Sequence, residues 1–285
     1  MRNCGAEIGR SKYLLISAFL SVKGLSRFDN QILAKRILLP CVHLNHPGMS
    51  NNFRFQQFTI KQEAAAMKVG TDGVLLGAWA MHPAPAQALD IGAGTGLIAL
   101  MLAQRFTSLQ VDAVEIDEAA AAEARGNVQA SPFAERIQVH AQSIQDFARV
   151  TPDRYYDLMV SNPPFFTGGI LSEQEGRSSA RHTVKLSHQD LLRSVQRLLA
   201  EEGCFCVVLP WLEGLRFEEL ARSYQLFTRE RVEVSGRPGR APNRLLLKMQ
   251  RKEGPVDSHR LTIYHGARGH QLSAAFAQLT RAFYL

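Results

Sequence analysis

A chain of 285 residues with 46% apolar content is long enough to bury a core of its own, which excludes a disordered tail or a small stapled scaffold. The formal charge of +7 is unevenly spread: residues 1–50 hold Arg2, Arg10, Lys12, Lys23, Arg27, Lys35 and Arg36 against Glu7 and Asp29, so the body carries little net charge and global charge alone argues for no nucleic-acid partner. Cys4, Cys41, Cys204 and Cys206 form no C-x-x-C pair and stand at no zinc-ligand spacing with histidine, so no metal is expected and small core residues in a reducing cytoplasm are.

The first 48 residues lack helical or strand periodicity. Their one apolar stretch, "YLLISAF" with Leu20, follows Arg10 and Lys12 as in a signal peptide, but no small-x-small cleavage site follows and the run is too short to span a bilayer. Residues 1–48 are expected to be a loose extension, or to precede the true start at Met49, with residues 49–285 forming the domain. From Phe53 onward short β-branched or apolar runs alternate with helical patterns, which predicts a parallel sheet covered on both faces. Strands are expected at 88–92, 111–116, 137–141, 156–161 and 204–209, then at 229–234 and 243–249. Helical patterns occupy 96–106, 118–129 and 187–203, the last with Ser187 at its N-cap and Gly203 at its end. Seven strands with helices between the first five read as one doubly wound α/β domain.

"LDIGAGTGL" places Gly92, Gly94 and Gly96 on a tight turn between strand and helix, where missing side chains let backbone amides approach a ligand. Glu115 closes the next strand, where a carboxylate can accept both ribose hydroxyls of an adenosine. The spacing departs from the G-x-G-x-x-G dinucleotide fingerprint, because Thr95 alone separates Gly94 from Gly96; a nicotinamide oxidoreductase is disfavoured.

"VSNPPFF" ends the fourth strand on the same sheet edge as the glycine loop, the edge where open α/β sheets bind ligands. Pro163 and Pro164 fix φ and lack amide donors, so they rigidly present Asn162 and the carbonyl groups around it. An exocyclic amino nitrogen on an aromatic ring is a poor nucleophile because its lone pair is delocalised. If Asn162 Oδ1 and the Pro163 carbonyl accept its two hydrogens, the lone pair turns toward an incoming methyl group and no strong base is required. Phe165 can stack on the base, worth about 1–3 kcal/mol, while Phe166 is expected in the core.

"DIGAGTG" with a strand-end Glu115 resembles motifs I and II of the S-adenosylmethionine-dependent methyltransferases. "NPPF" is similar to the (D/N/S)-P-P-(Y/F/W) motif of amino-methyltransferases. "FRFQQFTIKQEAAAMKVGTDGVLLGAWA", residues 53–80, resembles the N-terminal signature of the bacterial tRNA adenine-N6 methyltransferases that modify valine tRNA next to its anticodon. The likeness runs from about Phe53 to the final "LTRAFYL". It implies a seven-stranded Rossmann-like class I methyltransferase fold, S-adenosyl-L-methionine as cofactor, tRNA as partner and a cytoplasmic location without membrane attachment. By the same resemblance Asn162, Pro163 and Phe165 are catalytic, and Lys68, Thr71, Asp72, Asp90, Gly92, Gly94, Gly96, Glu115 and Asn162 meet the cofactor. Where the family often has an acidic residue contacting the adenine, this chain has Ser143, with Asp146 about one helical turn on as the alternative.

Two basic clusters complete the reading. Arg237, Arg240 and Arg244 in "SGRPGRAPNR" are spaced to project outward from the last hairpin, and Arg177, Arg181 and Lys185 follow the "NPPF" run; both suit phosphates. Lys248 to Lys252 read as a solvated edge. A glutamine-amide methyltransferase acting on release factors shares the Asn-Pro-Pro chemistry, and a non-catalytic RNA-binding module would require a broken loop or motif, which is absent here.

Overall fold

The structure is a computed structural model that describes residues 52–65, 67–164 and 186–285. The expected extension 1–48, Met49, Phe165, Phe166, Arg177, Arg181 and Lys185 lie outside the described residues. β1 (Asn52–Arg54) and β2 (Thr59–Lys61) form a small antiparallel hairpin. The remaining elements are α1 (Thr71–Trp79), β3 (Gln87–Ile91), α2 (Leu97–Arg105), β4 (Gln110–Glu115), α3 (Glu118–Gln129), β5 (Ile137–Ala141), α4 (Ile144–Val150), β6 (Tyr156–Ser161), α5 (His188–Leu198), β7 (Leu199–Pro210), α6 (Trp211–Arg222), β8 (Phe227–Ser235), β9 (Arg244–Gln250), β10 (Asp257–Thr262) and α7 (Ala274–Thr280).

The large sheet runs β10-β8-β9-β7-β6-β3-β4-β5. β9 is antiparallel to β7 and β8, and every other pairing is parallel. Strict alternation splits the core between the two faces: Cys204, Cys206 and Val208 pack with Leu158, Val160 and α2, while Phe205, Val207 and Leu209 pack with Met159, α5 and α6. Both cysteines are small core residues, as the sequence predicts. Helix starts follow local capping chemistry, with Asp117, Ser143, Ser187 and Ser273 each accepting the amide three residues on. The buried Arg105 guanidinium caps the far end of α1, donating to the Gly77 carbonyl at 2.8 Å and the Ala80 carbonyl at 2.5 Å.

The seven expected strands are present in the doubly wound arrangement, and two details differ from the sequence reading. An eighth strand, β10, extends the edge in parallel with β8. Its sequence "DSHRLT" buries only Leu261, so it carries no apolar run to betray it. The helix expected to reach Gly203 stops at Leu198, and Gly203 lies inside β7. Between Tyr156 and Leu158 the β6–β7 register slips from Leu199 to Cys204, and Gly203 fits into this bulge. A Cβ there would stand 2.8 Å from the Tyr156 carbonyl and 3.1 Å from the Asp157 carbonyl, both backbone. Gly203→Ala should therefore destabilise the protein by about 1–3 kcal/mol, read as a lower urea midpoint at unchanged slope.

Candidate active site

The carboxyl ends of β6, β3, β4 and β5 stand level, with Ser161 opposite Ile91, Ile91 opposite Val114 and Val114 opposite His140. The turn after β3 is pinned to β4, because Gly92 and Ala93 both donate to the Val114 carbonyl, at 2.9 and 3.1 Å. Gly92, Gly94 and Gly96 all have positive φ, at 74°, 54° and 79°, so the loop requires glycine for its path as well as for room. No atom lies within 4 Å of where a Cβ would stand on Gly92 or Gly94, whereas at Gly96 it would meet Ala124 of α3 at 3.4 Å. The first two glycines line an open cradle and the third packs α2 against α3.

Glu115 serves this cradle directly. Its Oε2 accepts the Gly94 amide at 2.8 Å and its Oε1 the Asp117 amide at 2.9 Å, which leaves two of about four lone-pair sites for a ligand. Asp90 is fully buried: Oδ2 accepts the Ala99 amide of α2 at 3.0 Å and Oδ1 has no partner. Burial, with a smaller push from Glu115, raises its pKa from 3.8 to about 7, against the pull of the Ala99 amide. Asp90 thus fixes the helix that leaves the loop.

Residues 61–65 and 67–69 belong to a strap from β2 toward α1, held by side chains that the sequence reading missed. Buried Asn127 of α3 accepts the Lys61 amide at 2.8 Å and donates to the Lys61 and Thr95 carbonyls, both at 2.9 Å, joining strap to glycine loop. Glu123 accepts the amides of Glu63, Ala64 and Ala65. Burial would raise its carboxyl, but these amides and Lys68 hold it below the usual value. Gln62 accepts the Val69 amide at 2.7 Å. Lys68 bends back onto the Gln62 and Glu63 carbonyls. Thr71 opens α1, and Asp72 in its first turn is paired with Arg244 Nε of β9 at 2.8 Å. Asn127, a polar residue inside an apolar helix face beside Gly126, was the one local signal of this strap.

Asn162 emerges from β6 beside the loop, with Pro163 buried and Pro164 exposed. Its Nδ2 donates to the Met67 thioether of the strap at 3.4 Å, while Oδ1 is buried and accepts no hydrogen bond from the described residues. An acceptor left unpaired costs about 1–3 kcal/mol, so the site holds an amide oxygen primed for a donor. Ser143 and Asp146 answer each other at the start of α4: the Ser143 hydroxyl accepts the Asp146 amide at 3.0 Å and donates to its carboxylate at 2.7 Å, and Asp146 also pairs with Arg149 at 2.6 Å. Neither is an idle side chain after β5.

The last hairpin departs most from expectation. Arg231 pairs with Glu218, Lys248 with Glu230, Lys252 with Glu202, and Arg251 donates to the Leu199 and Gln196 carbonyls. Arg244 does not project outward, since Asp72 draws it in, and Arg237 donates to the Gly269 carbonyl at 2.7 Å beneath the Tyr264 ring. Arg240 alone of the three is exposed. Among the described residues no helix is long and apolar enough to cross a membrane, and no cluster of His, Cys, Asp and Glu is arranged to hold a metal.

A doubly wound sheet with an open glycine cradle, a strand-end carboxylate and a stiff Asn-Pro-Pro corner defines a class I methyltransferase, and the Methyltransferase small domain family matches residues 69–210. A predicted O-methyltransferase from Agrobacterium tumefaciens superposes with a TM-score of 0.59 at 16% identity, over 74% of this chain and 96% of its own, and shares the fold. The chain is 45% identical over 234 residues, 82% of its length and 92% of theirs, to the tRNA1(Val) (adenine(37)-N6)-methyltransferase of Yersinia pseudotuberculosis serotype O:3 (strain YPIII). It is equally similar, over 93% of the relative, to that of Yersinia pestis (strain Pestoides F). It belongs to the family of tRNA1(Val) (adenine(37)-N6)-methyltransferases.

Asp90 makes stability depend on pH. Its folded pKa is raised, so the folded state keeps a proton that the unfolded state sheds, and the associated stability is complete below about pH 3.8 and lost as pH rises through about 7. In Asp90→Asn this dependence should vanish: between pH 5 and pH 8 the parent's unfolding free energy should fall by up to about 3 kcal/mol more than the variant's, as followed by urea titration at both pH values.

Proposed function

We propose that this chain transfers a methyl group from S-adenosylmethionine to the exocyclic N6 of the adenine next to the anticodon of valine tRNA, in the cytoplasm. The observation that carries the reading is Asn162 Oδ1, a buried acceptor without a partner, one residue past the strand that lies against the glycine loop. The cofactor supplies an electrophilic methyl group. The open cradle at Gly92 and Gly94 offers room for its methionine and ribose portions, and the remaining lone pairs of Glu115 are placed to accept ribose hydroxyls.

Asn162 does two things in this reading. Its Oδ1, with the Pro163 carbonyl, accepts the two N6 hydrogens, which draws the nitrogen toward a tetrahedral shape and frees its lone pair from the ring. The new C–N bond would replace the cofactor's methyl–sulfur bond, whose electron pair stays on sulfur; the nitrogen would become positive and acidic, and one of its hydrogens would leave along the same acceptors to water. The two prolines hold this geometry before substrate arrives, so little reorganisation is needed at the moment of reaction. Phe165 is proposed to stack on the adenine, and Arg177, Arg181 and Lys185 to grip the backbone around it. Lys68, Thr71, Asp72 and Ser143 are proposed to border the cofactor from the strap, α1 and the start of α4.

A glutamine-amide nitrogen poses the same delocalisation problem, so the protein should be incubated with labelled cofactor and either bulk tRNA or a release factor. Label in tRNA, together with loss of N6-methyladenosine from valine tRNA of a strain lacking the gene, is the expected result; label in the release factor alone would overturn the RNA reading. Asn162→Ala should keep cofactor affinity within a small factor and lose turnover on the order of a hundredfold or more. Glu115→Ala should instead weaken cofactor binding first, measured by calorimetry.

A further inference from the structure

The loop 236–243 between β8 and β9 and the loop 264–272 after β10 are joined into one surface on the same sheet edge as the candidate site. Ile263 and Tyr264 donate their amides to the Ser235 and Gly236 carbonyls, both at 3.0 Å. The second loop is closed on itself by the Tyr264–Leu272 bridge and by the His265 amide on the Gln271 carbonyl at 2.7 Å. Arg237 locks the two together: one Nη reaches the Gly269 carbonyl at 2.7 Å, and the guanidinium lies 5.0 Å from the Tyr264 ring centre. Tyr264 in turn meets the His270 ring edge-on at 5.9 Å. Around this strut Arg240, His265, Arg268 and His270 are exposed.

The sequence around these loops is free of carboxylate side chains. No Asp or Glu occurs between Glu233 and Glu253, and none follows Asp257. The hairpin's other cations are consumed by Glu218, Glu230, Glu202, Asp72 and backbone carbonyls, so the positive field of this region is gathered on the loops rather than on the strands. Edge protection against aggregation does not account for it. The exposed strand edge belongs to β10, whose Arg260 is paired with Glu233 at 3.0 Å, and the loops present no strand edge.

We propose that Arg240 and Arg268, presented on these clamped loops, dock the phosphodiester backbone of the substrate RNA, with Arg237 as a positioning residue rather than a phosphate ligand. The occupant follows from charge and shape: planar guanidinium forks on clamped loops that carry no acidic side chain of their own, with exposed imidazole rings, match a polyanion backbone. β8 and β10 lie three and four strands from β6, about 14 and 19 Å at about 4.8 Å per strand, so the platform meets RNA flanking the methylated nucleotide and never that nucleotide itself. It therefore contributes to capture and not to chemistry. This inference rests on tRNA being the substrate.

The test measures tRNA binding across a salt series, together with methylation kinetics, for the parent, for Arg240→Ala/Arg268→Ala, and for a control, Arg216→Ala/Arg222→Ala, that removes the same charge from exposed positions on α6. The loop variant should raise the tRNA KM about tenfold or more and flatten the plot of log K against log salt by roughly 0.7–0.9 per lost contact, with kcat at saturating tRNA and cofactor affinity unchanged. The control should leave KM and slope near those of the parent. Arg237→Lys, which keeps the charge but loses the fork, should weaken tRNA binding as well, because the loops lose their clamp. A parent that methylates tRNA while the loop variant keeps its KM and slope overturns the docking surface and leaves the function standing. A parent that binds tRNA with a slope the loop variant reduces, yet methylates none, overturns the function and leaves the surface. A parent that does not bind tRNA overturns both, and equal losses in control and loop variant reduce the platform to unspecific charge.

Discussion

One carboxylate organises the centre of this protein. Glu115 holds the amides of Gly94 and Asp117, so the loop leaving β3 and the helix following β4 are fixed to the same side chain. Parallel strands deliver their ends to a common edge but do not by themselves order the turns beyond it. Those turns need acceptors for amides that the sheet no longer satisfies, and a carboxylate with about four lone-pair sites can meet them and still receive a ligand. The glycine path with positive φ and the start of α3 at Asp117 are both tied to that carboxylate.

A second group of polar side chains extends the same logic outward. Asn127, Gln62 and Glu123 satisfy the backbone of the strap, whose described residues 62–65 and 67–69 lie outside helix and strand, and Asn127 ties it to the Thr95 carbonyl of the glycine loop. The strap then delivers Met67 to the Asn162 amide. A thioether is a weak acceptor, so it occupies the nitrogen end of that amide without competing for the oxygen end. The corner at Asn162 is thereby given an orientation by a neighbour that asks little of it. These polar groups hold backbone, whereas Asn162 Oδ1 is buried with no hydrogen-bond partner among the described residues.

Much of this was legible in the sequence because short-range patterns dictated it. The first five strands of the sheet, the glycine turn, Glu115 at a strand end and the Asn-Pro-Pro corner each follow from spacing and residue type within about ten residues. What the sequence hid depended on long-range pairing. Arg244 and Asp72 are 172 residues apart, and no local pattern says that one will draw the other inward. Arg237 has the local sequence of a free cation, but Tyr264 and Gly269, in the loop after a strand too polar to recognise, lie beside it. Gly203 has the local sequence of a helix stop because glycine ends helices so often, yet here it makes room for the carbonyls of Tyr156 and Asp157 in a bulge. Ser143 and Asp146 were weighed as rivals for a ligand, and the structure makes them partners in one helix cap.

The β1–β2 hairpin from which the strap departs is itself clasped by the far end of the chain. The Gln56 amide donates to the Phe283 carbonyl at 2.9 Å, its side chain reaches the Arg281 and Tyr284 carbonyls, and Tyr284 stacks over Phe55 at 6.1 Å. During synthesis the hairpin leaves the ribosome more than two hundred residues before the segment that fastens it. The sheet can assemble progressively as each β-α unit emerges, but the clasp on the hairpin waits for the segment after the final helix. A nascent chain that stalls after β10 would carry every strand of the large sheet and still lack the clasp on the hairpin from which the strap departs.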